Sequence, residues 1–166
     1  MNNEHYKFMH SAVISVEAAI AMTERSRSTW WRRISKGDIT RMADDARGRA
    51  MLLWTEVALE ITTPLESVDI NVILRADAGE AAAQSDIGQF FSIASKHKIA
   101  LYWLQQAAQQ DDSDAMQWLG RCYVSGDGVA KDDNLGLMWI AKAAAHGHII
   151  ANAQIKGFCK MTVQVK

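Results

Sequence analysis

The segment RSRSTWWRRISKGDI gathers Arg25, Arg27, Arg32, Arg33 and Lys36 around the adjacent pair Trp30 and Trp31. These residue types share a chemistry. Guanidinium and ammonium groups neutralise phosphates, and an arginine can pair bidentately with a guanine edge in the major groove. An exposed indole can pack on a sugar or a thymine methyl. From Arg25 to Arg49 eight basic residues stand against Asp38, Asp44 and Asp45, a local balance of 8 − 3 = +5. The whole chain carries −1, so the remainder carries −1 − 5 = −6. A basic patch in an otherwise acidic chain points to a polyanionic partner. The candidate DNA-binding residues are Arg27, Ser28, Trp31, Arg32, Arg33, Lys36, Arg41, Arg47 and Arg49. The alternative is a solvated basic face with no ligand.

Other chemistries find little support. His146 and His148 in HGH offer two ligands at i, i+2 with no third in view, fewer than a metal site needs. DGVAKDD has acids and a glycine but not the ligand spacing of a calcium loop. SGDGVAK lacks the Gly-Lys-Ser/Thr ending of a phosphate loop. Cys122 and Cys159 are far apart, and their spacing implies neither a metal site, a redox pair nor a disulfide framework. No nucleophile, base and orienting group come together in sequence. The chain reads as a non-enzyme with no cofactor and no metal.

The elements that must hold the basic segment can be placed. Ser15 is a suitable N-cap, Glu17 favours a first turn, and SVEAAIAM follows with its apolar residues on one helical face. Ser26 starts a second helix, Arg27 to Lys36, and Gly37 ends it. Trp30 and Ile34, four apart, should face inward. Arg27, Ser28, Trp31 and Arg32 then share the outward face. DITRMADDARGRAMLLW has two short β-capable runs about DDARG, which predicts a hairpin. Ile39, Met51 and Leu53 would pack on the helices, and Arg47 and Arg49 would reach phosphates. WTEVALEI predicts a closing helix.

This arrangement over residues 10–60 resembles the excisionase-like and MerR-like winged helix-turn-helix domains. The residues that carry it are Ser15 to Ala19, the run SRSTWWRRI from Ser26, Gly37, Gly48–Arg49 and Trp54 to Val57. It implies a recognition helix in the major groove of duplex DNA, with the hairpin as wing. Glu24 departs from the family's glycine in the turn, a position where positive φ disfavours glutamate.

Pro64, the only proline, marks a junction. Beyond it the chain repeats. ALYWLQQAAQQDDSDAMQWLG and GLMWIAKAAAHGHIIANAQIKG align at a spacing of 36, pairing Trp103 with Trp139, Ala107 with Ala143, Ala115 with Ala151 and Leu119 with Ile155. A shorter copy precedes them, with Ala83 on Ala115, Ile87 on Leu119, Gly88 on Gly120 and Phe91 on Tyr123. Small residues at fixed positions let helices approach, and copies must stack to bury their apolar faces. Trp103, Trp118 and Trp139 recur at repeat spacing and are expected in the packing. The run AMQWLGRCYVSGDGVAKDDNLGLMWIAKAAAHGH resembles the Sel-one-like repeats, relatives of the tetratricopeptide repeats. Gly136 stands where that family has alanine. The resemblance implies an α/α solenoid that contacts proteins and has no catalytic residues.

The expected fold is therefore mainly α: a small winged helix-turn-helix domain at 10–62, a connecting segment at 63–77, and a short α/α solenoid of Sel-one-like repeats at 78–160. β-Structure should be confined to one hairpin within 38–53. The expected function is that of a DNA-binding regulator of transcription or of a mobile element. Its repeats would contact a protein partner or form a homodimer. The alternative is an interaction adaptor that never meets DNA. No apolar run approaches a membrane span, and the amino-terminal segment does not read as a secretion signal. The expected compartment is the cytoplasm.

Overall fold

The computed structural model describes residues 11–65 and 70–163 of the chain. It divides into two compact units, Met1–Ala78 and Gly79–Lys166.

In the first unit, β1 (Val13–Ser15) leads directly into α1 (Val16–Thr23). A three-residue turn connects α1 to α2 (Arg27–Lys36), and then come β2 (Arg41–Met42), β3 (Met51–Leu53) and α3 (Trp54–Ala58). The strands form an antiparallel sheet in the order β1-β3-β2, with Ile14 opposite Leu52 and Met42 opposite Met51. The hairpin expected within 38–53 is therefore joined by a third strand. That strand hides in the sequence because it is three residues long and runs straight into a helix cap. Ser15 accepts the Ala18 N–H at 3.1 Å and caps α1. Ser26 caps α2 in the same way, and Gly37 closes it in the left-handed region, with the Asp38 N–H bonded to the Arg33 carbonyl. Glu24 does adopt positive φ, at 56°. The tight turn survives with a glutamate in it, at a cost of about 1–2 kcal/mol for a β-carbon in that region.

The core of this unit holds Ile14, Val16, Met22, Trp30, Leu52, Trp54 and Val57, all buried. Trp30 Nε1 donates to Thr23 Oγ1 at 3.3 Å, so the indole N–H is partnered where it is buried. The stretch 63–77, expected as a connection, contains α4 (Ile70–Asp77), which belongs to this unit. Its Ile73 and Ala76 are buried. So is Asp77, whose carboxylate accepts the Ser15 N–H at 2.8 Å and the Ser15 Oγ–H at 2.5 Å.

The second unit is five helices among the described residues: α5 (Ala81–Ile93), α6 (His97–Ala108), α7 (Ser113–Ser125), α8 (Asp133–Ala145) and α9 (Ile149–Val163). No strand interrupts them. Asp112 and Asp132 cap α7 and α8 by accepting the N–H groups of Ala115 and Leu135. The pairs α5–α6 and α7–α8 close on glycines. A β-carbon on Gly88 would lie 2.6 Å from Leu104, and one on Gly120 would lie 2.5 Å from Ile140. Leu104 and Ile140 are themselves one repeat apart, so the same contact recurs in both pairs. Gly136 is explained by its neighbour: a β-carbon there would sit 2.9 Å from the Gly120 carbonyl oxygen and 2.6 Å from Val124. In α9 the repeat-equivalent of Gly120 is Lys156, which is exposed.

The tryptophans divide. Trp103 is 2% exposed, as expected of packing. Trp118 and Trp139 are only half-buried, each with a cation over its ring: Arg121 at 4.3 Å and Lys142 at 4.7 Å. Expecting both in the packing was too strong. Recurrence at repeat spacing identifies an equivalent position, not its depth.

Candidate functional site

The outward face of α2 carries much of the predicted set. Arg27, Ser28, Trp31, Arg32 and Lys36 are all exposed, while Trp30 anchors the opposite face and Ile34 is half-buried. Arg41, on β2, stands with its guanidinium carbon 5.9 Å from the Trp31 ring centre. It joins the helix face to the sheet. Trp31 itself is 39% exposed.

The remaining predicted residues are engaged inside the unit. Arg33 pairs with Glu60 at 2.9 Å, and Arg25 pairs with the same carboxylate. Burial of Glu60 favours its neutral form, but the Arg33 hydrogen bond and both guanidinium charges outweigh this and hold the carboxyl below its usual range. Arg49 is bound twice. Its Nε donates to Asp45 at 2.8 Å, and its Nη1 donates to the Asp77 carboxylate at 2.7 Å. Arg47 donates to the Ala78 carbonyl at 2.7 Å. Arg27 stands 3.2 Å from Glu17, and Arg41 2.7 Å from Asp44. Arg32, Lys36 and Arg47 are the predicted cations whose side chains meet no carboxylate among the described residues, and of these Arg47 is held by the Ala78 carbonyl. Composition could not reveal this, because the acids that pair the arginines lie far away in sequence at Glu17, Glu60 and Asp77.

Asp45 organises the hairpin loop. Its Oδ1 accepts the N–H groups of Arg47 and Arg49, and these, with the Arg49 side chain, hold its carboxyl below the usual range. Glu56 fastens the other end by accepting from Thr40 N–H at 2.7 Å and Thr40 Oγ at 2.8 Å.

In the second unit the first helices of successive pairs, α5, α7 and α9, line an open groove of about 460 Å³. Trp118 and Arg121 form its wall on α7, with Gln89 from α5 and Ile150 and Gln154 from α9. His148, whose spacing from His146 offers too few ligands for a metal, has a specific structural role. Its Nδ1 accepts the Ala151 N–H at 3.1 Å and caps α9, while its Nε2 faces Asp114 at 3.3 Å. Cys122 is buried. Loss of solvent and the nearby Asp127 push its thiol up to about 11, so it is not poised as a nucleophile. Among the described residues no group of three or more His, Cys, Asp or Glu could hold a metal, and no helix is long and apolar enough to cross a membrane.

The glycine contacts and paired helices recur across residues 81–112 and 113–148, and both stretches match the family model for the Sel1 repeat. The two matched stretches are similar to Sel1 repeats. The chain is also similar to a solved Sel1 repeat protein from Oxalobacter formigenes, at 31% identity and a TM-score of 0.47. That match covers 52% of this chain and 37% of the other. No curated protein matches the chain. The family match lies wholly within the second unit, and α9 packs beyond the second Sel1 repeat as an additional helix.

Proposed function

We propose that the chain is a two-part DNA-associated protein. In this reading the first unit acts as a winged helix-turn-helix on duplex DNA, and the Sel1 repeats hold a protein partner. The observation that carries it is the outward face of α2. There Arg32 and Lys36 have no carboxylate partner among the described residues, and Trp31 lies exposed between Arg32 and the Arg41 that reaches across from β2. A helix held by one buried tryptophan and presenting cations on the far side has the form of a groove reader. The effective contact set is narrower than the sequence suggests. Arg32, Lys36, Arg41, Trp31, Arg27 and Ser28 would meet DNA, while Arg33 and Arg49 would brace the unit.

A second reading is favoured by a different observation. Most of the basic segment is already neutralised, by Glu17, Asp44, Asp45, Glu60 and Asp77. The field left for a polyanion is smaller than a +5 segment implies. On this reading the chain is an adaptor whose repeats bind protein and whose first unit grips an acidic protein surface.

A mobility shift with random duplex and with a genomic fragment library separates them. Under the DNA reading, Arg32→Ala should weaken binding by about 1–3 kcal/mol if it reads a base. Lys36→Ala should lower the slope of log affinity against log salt by about one. Arg49→Ala should lower thermal stability first and affinity only through it. No duplex binding by the folded wild-type protein at low salt, at about 50 μM, would leave the adaptor reading standing.

A further inference from the structure

We propose that the groove across α5, α7 and α9 binds an extended peptide with a basic side chain and, three positions away, an acidic one. The inference deepens the reading of the repeats as the protein-binding part and rests on it. It names the face and the chemistry of the partner.

The groove is polarised. Asp114 stands at one end of α7 and Arg121 at the other, both exposed and both lining it. Seven residues along a helix separate them by about 10 Å. Three residues of a polyproline-II chain span about 9 Å and return the side chain to the same face. Arg121 has no carboxylate partner among the described residues, and its guanidinium carbon lies over the Trp118 ring, 4.3 Å from its centre. A stacked guanidinium keeps its N–H edge free for a carboxylate. Asp114 is 63% exposed, and only the His148 edge faces it. A peptide cation at that end would meet a carboxylate it can pair with.

Between the charged ends the groove carries carboxamides and apolar surface. Gln154 has a buried Oε1 with no partner, and Gln117 is 5% exposed. A carboxamide offers both a donor and an acceptor, the complement of a peptide bond. Rotation of the Gln154 carboxamide into the groove would let a ligand N–H complete the hydrogen bond that Oε1 lacks. Ile150, 60% exposed, and the uncovered part of Trp118 give an apolar side chain a place to sit. The repeat positions bear this out. Trp118 occupies the place held by Gln154 one repeat later, and Asp114 the place held by Ile150. The column is therefore built from substitutions among equivalent positions and not from the residues that close the helix pairs.

The test is fluorescence anisotropy on the full chain with fluorescein-labelled Gly-Lys-Ala-Leu-Asp-Gly. The control peptide is the neutral Gly-Gln-Ala-Leu-Asn-Gly. The charged peptide should bind at least about tenfold more tightly than the control, and Arg121→Glu and Asp114→Lys should each weaken it by about tenfold. Arg121→Lys should retain most of the binding. Arg121→Glu should recover with Gly-Lys-Ala-Leu-Lys-Gly, a charge swap that a misfolded variant could not show. Equal binding of the charged and neutral peptides overturns the proposal. So does binding that neither Arg121→Glu nor Asp114→Lys changes, although the repeats would then still bind peptide through another face. Absence of binding by either peptide to the wild type up to about 1 mM also overturns it. The DNA mobility shift should be the same for all these variants, so its outcome and this one fail separately.

Discussion

Arg49 and Asp77 lie 28 residues apart and make a two-point contact: Arg49 Nη1 donates at 2.7 Å to the Asp77 carboxylate and at 2.8 Å to the Asp77 carbonyl. The same carboxylate takes the N–H and hydroxyl of Ser15, the residue that caps α1. One buried side chain thus ties the end of α4 to the hairpin loop and to the start of the first helix. Asp77→Ala would leave the Ser15 N–H and hydroxyl without their acceptor, while Arg49 would keep Asp45 and the carbonyl of residue 77. It should cost about 1–3 kcal/mol, the usual penalty for a buried polar group left unpaired, read as a shift of the urea midpoint. A fragment of residues 1–62 should be less stable than one of residues 1–78 by a comparable amount. Equal midpoints for the two fragments would show that α4 is dispensable.

The carboxylates that brace this unit set its acid limit. The Arg33 and Arg25 contacts of Glu60, and the backbone and Arg49 hydrogen bonds of Asp45, lower both groups below their unfolded values. A lowered folded value means that the stabilisation is complete above the unfolded range and is lost as pH falls through the folded value. The first unit should therefore be unaffected between pH 8 and about 5 and should weaken below about 4. Near-ultraviolet circular dichroism of the buried Trp30 and Trp54 would follow it. Glu60→Gln should flatten the acid limb. An unchanged limb would mean that Arg33 and Arg25 do not hold Glu60 in solution.

Much of this architecture was legible because it rests on local rules. Ser15, Ser26, Gly37, Asp112 and Asp132 mark helix ends through hydrogen bonds within a few residues. The repeat was legible because Gly88 and Gly120 recur against Leu104 and Ile140. What stayed hidden is non-local. The role of α4 depends on Asp77 meeting Ser15 and Arg49, and no periodicity announces such a contact. The candidate interface had the same weakness. Residue type and proximity in sequence point to nine residues, but Arg33 and Arg49 face acids that only the fold brings near. The cap that His148 makes is not legible in sequence, because helix starts are marked by Ser, Thr, Asp and Asn and not by histidine.

Half-burial of Trp139 and full burial of Trp103 predict different costs at equivalent repeat positions. Trp103→Ala empties a closed site and should cost about 3–5 kcal/mol. Trp139→Ala removes a ring that keeps Lys142 on one side and solvent nearby, and should cost about 1–2 kcal/mol, less burial being lost. Chemical denaturation of the two variants decides it. Similar losses would mean that Trp139 is covered in solution, by a second molecule or a partner.

Glycines make the last test, because the repeat uses some for space and leaves others unused. A β-carbon on Gly120 would meet Ile140 at 2.5 Å and the Gly136 carbonyl oxygen at 2.9 Å. The second of these is backbone, which cannot swing aside. Gly120→Ala must push α7 and α8 apart and should destabilise the repeats by about 1–3 kcal/mol, the range for overpacking a closed core. Gly157 sits within α9 with nothing within 4 Å of its would-be β-carbon. There alanine only restricts the unfolded chain and favours the helix, so Gly157→Ala should stabilise by about 0.5–1 kcal/mol. Opposite signs for one chemical change would show that Gly120 is held by close approach and Gly157 is not. If Gly120→Ala were also stabilising, α7 and α8 would have to lie farther apart than a β-carbon contact of 2.5 Å allows.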